Sequence, residues 1–342
     1  MKIVADENIP LLQGVLEPYA DVVYTPADAV CPALLKDADA LLVRTRTRCD
    51  AKLLAHSSVR FIATATVGAD HIDADYCRKH GITVFSAAGC NAAAVAQYVM
   101  TALLATAPLT GKEIQERTLG IIGVGNIGRL TSALAANLGI PVLLNDPPRA
   151  ACEGEAGFVE LDELLQCADI ITLHVPLTAH TRNMANHAFF ERLRHGAIFI
   201  NTSRGEVTDE AALLHHRKKL SAVVLDVWQN EPHINPTVLA AADIATPHIA
   251  GYSVQGKCNA TTMVVRALAA FFGVDALKNF TATSAAEKTY IDIPCDKNRL
   301  QTLLTGAYPI LEDDKLLRTQ PQNFEQVRNS YPLRNVELRV KN

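Results

Sequence analysis

The sequence predicts an α/β fold built on parallel sheets, and three observations carry that expectation. Short runs of Val, Ile, Leu and Ala alternate with stretches of helical period along most of the chain. Most runs are apolar without interruption, which suits strands buried on both faces, and strands separated by helices fit right-handed crossovers. At 342 residues the chain also exceeds one typical core, so two or three domains are expected.

In chain order, residues 2–5, 39–44, 60–64 and 82–85 read as strands of a first unit, with helical stretches near 10–17, 51–56 and 70–80. Ala-rich "NAAAVAQYVMTALLATAPL" contains Gln97 and Tyr98 and reads as a buried helix rather than a membrane span. A second series of strands follows at 118–125, 141–146, 169–176, 196–201, 221–228 and 243–248. Helical patterns near 126–139, 160–167, 186–194 and 209–218 separate most of them. A long helical stretch at 255–272 can return the chain to the first unit. Beyond about residue 285 polarity is mixed and prolines recur, so a small α+β module is expected. The domains are therefore set at 1–90 with 254–285, at 91–253, and at 286–342.

Composition narrows the function. Charged residues make up 20% and the net charge is −4, so neither a nucleic-acid surface nor a membrane partner is indicated. Eight cysteines without a CxxC pair read as small buried hydrophobes in a reducing, cytoplasmic setting. The pair His215–His216 is assigned to the surface with no metal role, and Asp73 beside His71 to a helix start.

The chemistry concentrates in the second series. "GVGNIG" supplies Gly123, Gly125 and Gly128 in G-x-G-x-x-G spacing, between a strand and a helix. Those glycines allow a tight turn, close approach of a pyrophosphate and close helix packing. The diphosphate is expected over the helix N-terminus at Asn126 and Ile127. Asp146 ends the next strand, where a carboxylate grips ribose hydroxyls and repels a 2′-phosphate. NAD is thus the expected cofactor, with Arg149 three residues on as the one contrary sign. Both larger domains are expected to be Rossmann-like and doubly wound.

Three further strand ends deliver complementary groups. Arg204 in "NTSRGEVTDE" is placed for a substrate carboxylate. "DVWQNEP" offers Asp226 and Glu231, and "TPH" puts His248 at the end of the last strand. A histidine held by a carboxylate can take a proton from an alcohol. The basic stretch "RTRTR" suggests a phosphate pocket, with Arg44, Arg46 and Arg48 on one side if that stretch is extended.

"GVGNIGR", "NTSRGEVTD", "DVWQNEP" and "TPHIAGYS" resemble the D-isomer-specific 2-hydroxyacid dehydrogenase family. The resemblance implies catalytic roles for Arg204, Glu231 and His248. A narrower likeness, in "KIVADENIP", "ATATVGADHID", "AAGCNAAAVAQYV", "NDPPRA" and "HIAGYSVQGK", is to members that oxidise a phosphorylated four-carbon 2-hydroxy acid on the route to vitamin B6. It implies substrate contacts from Thr45, Thr66 and Tyr252 and a homodimer formed through the tail. It further implies cofactor contacts from Asn126, Ile127, Asp146, Thr202, Ser203, Arg204, Asp226 and Gly251. Two features depart from it: Val175 replaces a hydroxyl residue in "TLHVP", and the tail stops soon after "NVELRV", as a trimmed module would. Two other readings stay open on the sequence: a dehydrogenase for another 2-hydroxy acid such as 3-phosphoglycerate, and an NAD-sensing corepressor-like protein without turnover.

Overall fold

The computed structural model describes residues 1–106, 108, 113–284, 289–293 and 296–340. The chain forms two compact units: residues 1–91 with 253–287, and residues 92–252 with 288–342. The boundary expected at 285/286, like Cys295, lies outside the described residues.

The first unit holds five parallel strands, β1 (Lys2–Asp6), β2 (Asp21–Thr25), β3 (Ala40–Val43), β4 (Phe61–Thr64) and β5 (Thr83–Ser86), in the order β2-β1-β3-β4-β5. Every residue of β3 is buried, as its unbroken apolar run requires. The helix Val254–Phe272 belongs to this unit and buries Val264, Val265 and Leu268 against Phe61 and Ala63. Two local features differ from the sequence reading. β2 is a half-exposed edge strand whose pattern lacks the continuous burial that revealed the others. The stretch near 10–17 forms turns, not a helix, because Leu11 and Gly14 take φ of 58° and 83° and Pro10 offers no N–H.

The second unit carries six parallel strands, β6 (Leu119–Ile122), β7 (Val142–Asn145), β8 (Ile170–Leu173), β9 (Ala197–Asn201), β10 (Leu220–Leu225) and β11 (Ile244–Ala245), in the order β11-β10-β9-β8-β6-β7. The order reverses between β6 and β8, the switch point beyond whose carboxyl ends ligands bind in such sheets. The helix Ala92–Thr106 is buried along almost its whole length, as its composition predicts. The sequence reading missed the short helices Pro147–Glu153 and Pro236–Ala241, each with a proline in the first turn. Among the described residues no helix is long and apolar enough to cross a membrane.

The tail was expected to stand as a module of its own. Its last strands, β12 (Thr289–Ile293) and β13 (Val336–Val340), form a separate parallel pair, but the segment packs into the second unit. The reason is apolar: Ile291, Ile293, Leu300, Leu304 and Tyr308 share one core with Val99 and Leu103. Polar ties add to it, since Ala245 N on edge strand β11 donates to Asp314 Oδ1 at 2.7 Å. Arg318 donates to the carbonyls of Leu239 and Ala242. Of the cysteines, Cys49, Cys77, Cys90 and Cys258 are buried free thiols, whereas Cys31, Cys152 and Cys167 are exposed, at a helix cap or on solvent faces of short helices.

Candidate active site

The turn after β6 is shaped for close approach. A Cβ on Gly128 would stand 2.2 Å from the Gly123 carbonyl oxygen, so only glycine lets the helix Asn126–Asn137 start against that turn. A Cβ on Gly125 would project into open space, leaving room for a diphosphate beside the first helical amides of Asn126 and Ile127. Gly125 caps the helix without a side-chain acceptor, so an anion there meets donors that no cap side chain has taken. Asp146 follows β7 and binds this turn directly, with Val124 N donating to its Oδ2 at 2.7 Å. Arg149 is drawn off toward Glu153, with which it forms an ion pair, and toward the Val124 carbonyl. These residues fit NAD: the glycine cradle suits the diphosphate, the carboxylate suits ribose hydroxyls, and the nearby arginine is already engaged.

The neighbouring turn after β9 presents Arg204. Asn201 organises it: Oδ1 accepts from Ser203 N and Oγ at 2.9 and 2.8 Å, and Nδ2 donates to the Arg204 carbonyl at 2.9 Å. Gly205 then lies on the loop after β10, where an added Cβ would fall 1.9 Å from the Trp228 carbonyl carbon. That contact brings the Arg204 turn against the loop that carries Glu231. Thr202 and Ser203 are buried in the turn, and Thr202 Oγ1 lies 3.5 Å from His174 Nδ1.

His248 sits three residues past the end of β11 rather than at its end, in a left-handed turn with φ 57°. Such a conformation is strained for a side chain and persists only where the surroundings impose it. Here they do. Tyr98 hydroxyl donates to Thr246, whose hydroxyl donates to Asp226 Oδ1 at 2.6 Å. Asp226, 1% exposed, also accepts from the backbone of Ile249 and Ala250 at 2.8 and 2.9 Å. Its carboxylate therefore shapes the loop that carries His248.

The ring of His248 meets Glu231: Nδ1 lies 2.7 Å from Oε2. Trp228 N donates to the other oxygen of Glu231 at 3.0 Å. Burial acts to raise the Glu231 pKa, but the His248 ring, the nearby Arg328 and the Trp228 amide together hold it below the usual value. An ionised carboxylate facing Nδ1 places the ring proton there and leaves Nε2 as the free base. The arrangement can thus bind an anion at Arg204 and accept a proton at His248.

Residues 87–250 match the family model described as "D-isomer specific 2-hydroxyacid dehydrogenase, NAD binding domain". The erythronate-4-phosphate dehydrogenase of Bacteroides fragilis is 44% identical over 344 aligned positions, covering 98% of this chain and 97% of that one. That of Escherichia coli O157:H7 is 41% identical, covering 97% and 91%. The chain belongs to the erythronate-4-phosphate dehydrogenases of the D-isomer specific 2-hydroxyacid dehydrogenase family. A D-lactate dehydrogenase from Aquifex aeolicus, solved with NAD and lactic acid, superposes with a TM-score of 0.70 at 28% identity, over 84% of this chain and all of that one.

Arg204, Glu231 and His248 thus lie on three adjoining turns of one unit of this dehydrogenase, as do Gly251 and Tyr252. The residues expected at substrate from the other unit are described by themselves. Thr66 shares a 2.6 Å hydrogen bond with Thr64 and donates to the Gly68 carbonyl. Thr45 and Arg46 form an exposed turn, so the basic stretch is not extended and alternation does not align its arginines. The chain turns because Thr47 is buried, with its hydroxyl on the Ala27 carbonyl, and Cys49 pairs with Ile72. Arg46 and Arg48 instead line an open depression with Lys52, and Arg44 stands apart from it.

Three functional neighbours escaped the sequence reading. His174, just past β8, bonds Thr172 at 3.1 Å, and burial pushes its pKa down to about 3, so it stays neutral. Arg328 from the tail stands 3.9 Å from the same Glu231 oxygen that holds His248, with its guanidinium over the Tyr252 ring. Arg334 is buried and donates to the carbonyls of Ile249, Ala250 and Tyr252, directly after His248. Only folding brings these arginines home, and no local pattern marks them. Asp73 falls as expected: it caps the helix Ala74–Lys79 by accepting from Tyr76 N.

Proposed function

We propose that this chain oxidises 4-phospho-D-erythronate to (R)-3-hydroxy-2-oxo-4-phosphooxybutanoate with NAD, a step of vitamin B6 synthesis. The observation that carries the reading is the 2.7 Å contact between His248 Nδ1 and Glu231 Oε2 beside the Arg204 turn. Bound NAD supplies the acceptor for the hydride that leaves the substrate's C2. His248 Nε2 takes the proton from the C2 hydroxyl as that carbon becomes a carbonyl. Glu231 holds the ring in the right tautomer and stabilises the positive charge it gains. Arg204 holds the substrate carboxylate and fixes the reacting carbon against the base.

In the cofactor-binding region, Gly123, Gly125, Asn126, Ile127 and Gly128 receive the diphosphate, Asp146 the ribose, and Thr202, Ser203 and Gly251 the nicotinamide side. Asp226, which braces the loop after β11, is a further proposed cofactor contact. Thr45, Thr66, Tyr252 and Arg44 are the proposed substrate contacts, and Arg46, with Arg48 and Lys52, is the candidate for the phosphate. The free thiols fit a cytoplasmic setting, and a homodimer is proposed through the tail, where Leu311, Leu316 and Leu333 are exposed. The test is steady-state reduction of NAD with 4-phosphoerythronate, erythronate and 3-phosphoglycerate side by side. 4-Phosphoerythronate should exceed both others in kcat/KM by at least about a hundredfold, the equivalent of some 2.7 kcal/mol. Equal rates with erythronate would remove the phosphate pocket, and a preference for 3-phosphoglycerate would reassign the substrate.

A further inference from the structure

Outside the site just described, the second unit gathers three histidines. His187 opens the helix His187–Arg192, and His215 and His216 close the helix Glu210–His216. One ligand atom from each lies within 4.8 Å of those of the other two. Of these, His187 Nδ1 and His216 Nε2 are 3.4 Å apart.

That distance is compatible with two arrangements. An imidazole–imidazole hydrogen bond closes to about 2.7–3.2 Å. Two nitrogens bound to one tetrahedral zinc at about 2.0–2.1 Å stand about 3.3–3.4 Å apart. The observed spacing matches the edge of such a tetrahedron, and the remaining separations, within 4.8 Å, close onto one ion once the exposed His187 and His215 rings turn. The rings are also splayed, with interplanar angles of 65°, 68° and 73° for the three pairs, so edges rather than faces meet. His215 and His187 are exposed and His216 is half-buried on Phe190, so an ion has access from solvent while one ligand is held in place.

We propose that His187, His215 and His216 form a site for one divalent transition-metal ion of the zinc, copper or nickel type, with a fourth position left to water. The ligand set is all imidazole, which favours these ions over magnesium or calcium. A bound ion ties together two helices that otherwise meet through side-chain packing.

The test uses the full chain without a polyhistidine tag, stripped with chelator and titrated calorimetrically with zinc chloride. One ion per chain should bind in the micromolar range, with magnesium giving no heat. His187→Gln, His215→Gln and His216→Gln should each weaken binding at least tenfold, and His56→Gln, on the other unit, should leave it unchanged. Cobalt should give the intense visible bands of a four-coordinate ion in the wild-type chain, which tests the site independently of any variant. The proposal fails if no saturable one-to-one zinc binding tighter than about 0.1 mM is seen. It fails equally if the triple glutamine variant binds zinc as the wild type does, or if cobalt stays six-coordinate.

Discussion

Replacing Glu231 by Gln probes the acid/base pair with almost no change in shape. Gln keeps a carbonyl oxygen that can accept from Trp228 N, the 3.0 Å bond that orients the loop. The other terminal atom, now an amide nitrogen, would face His248 Nδ1 at the present 2.7 Å. Two donors cannot share that contact, so the ring must turn its Nδ1 lone pair to the amide and carry its proton on Nε2. The nitrogen that should accept the substrate proton is then already protonated. A hydrogen bond to a charged group contributes about 1.5–3 kcal/mol. Its loss from the transition state alone lowers kcat by about 10- to 150-fold, and the wrong tautomer adds to that. Steady-state kinetics of NAD reduction, with NAD binding followed by fluorescence titration, reads both quantities. Kd for NAD should stay within about twofold of wild type, since Glu231 is remote from the glycine turn in the chain of contacts. A kcat within threefold of wild type would refute the argument, as would a loss confined to NAD binding.

Three further outcomes follow from the same contacts. Gly205→Ala forces a Cβ to 1.9 Å from the Trp228 carbonyl carbon, so urea unfolding should show a loss of about 2–3 kcal/mol or more. Arg334→Met strips donors from the carbonyls of Ile249, Ala250 and Tyr252; stability should fall by more than about 3 kcal/mol and kcat should fall with it, because the loop after His248 loosens. His174 is held neutral in the fold, with its pKa at about 3 against an unfolded value of about 6.5. The unfolded chain therefore binds the extra proton, and its share of stability is complete above pH of about 6.5 and drains away as pH falls toward about 3. In denaturant titrations across that window His174→Asn should flatten the pH dependence; a slope equal to wild type would rule the histidine out.

Much of this was legible in the sequence. Most strands of the six-stranded sheet announced themselves because they are buried nearly throughout, edge strand β7 being half-buried, and the glycine turn did so because backbone stands too close to Gly123 and Gly128 for a side chain. Arg204, Glu231 and His248 could be paired in advance because each follows a strand of one sheet, and parallel topology gathers such ends at one edge. What stayed hidden depends on distant packing. Edge strand β2 is half exposed and lacks the apolar signature. Thr45 to Arg48 turn because Thr47 is anchored to Ala27, a contact that no local pattern reveals. Arg328 and Arg334 reach the His248 loop from some eighty or more residues away, and His187 meets His215 and His216 only because two helices pack.

The most direct measurement is turnover by His248→Asn set beside its affinity for NAD. The pairing of imidazole and carboxylate predicts a fall in kcat of about 10²- to 10⁴-fold with cofactor affinity preserved. A fall of less than tenfold, or an equal loss of NAD binding, would contradict the assignment of His248 as the base.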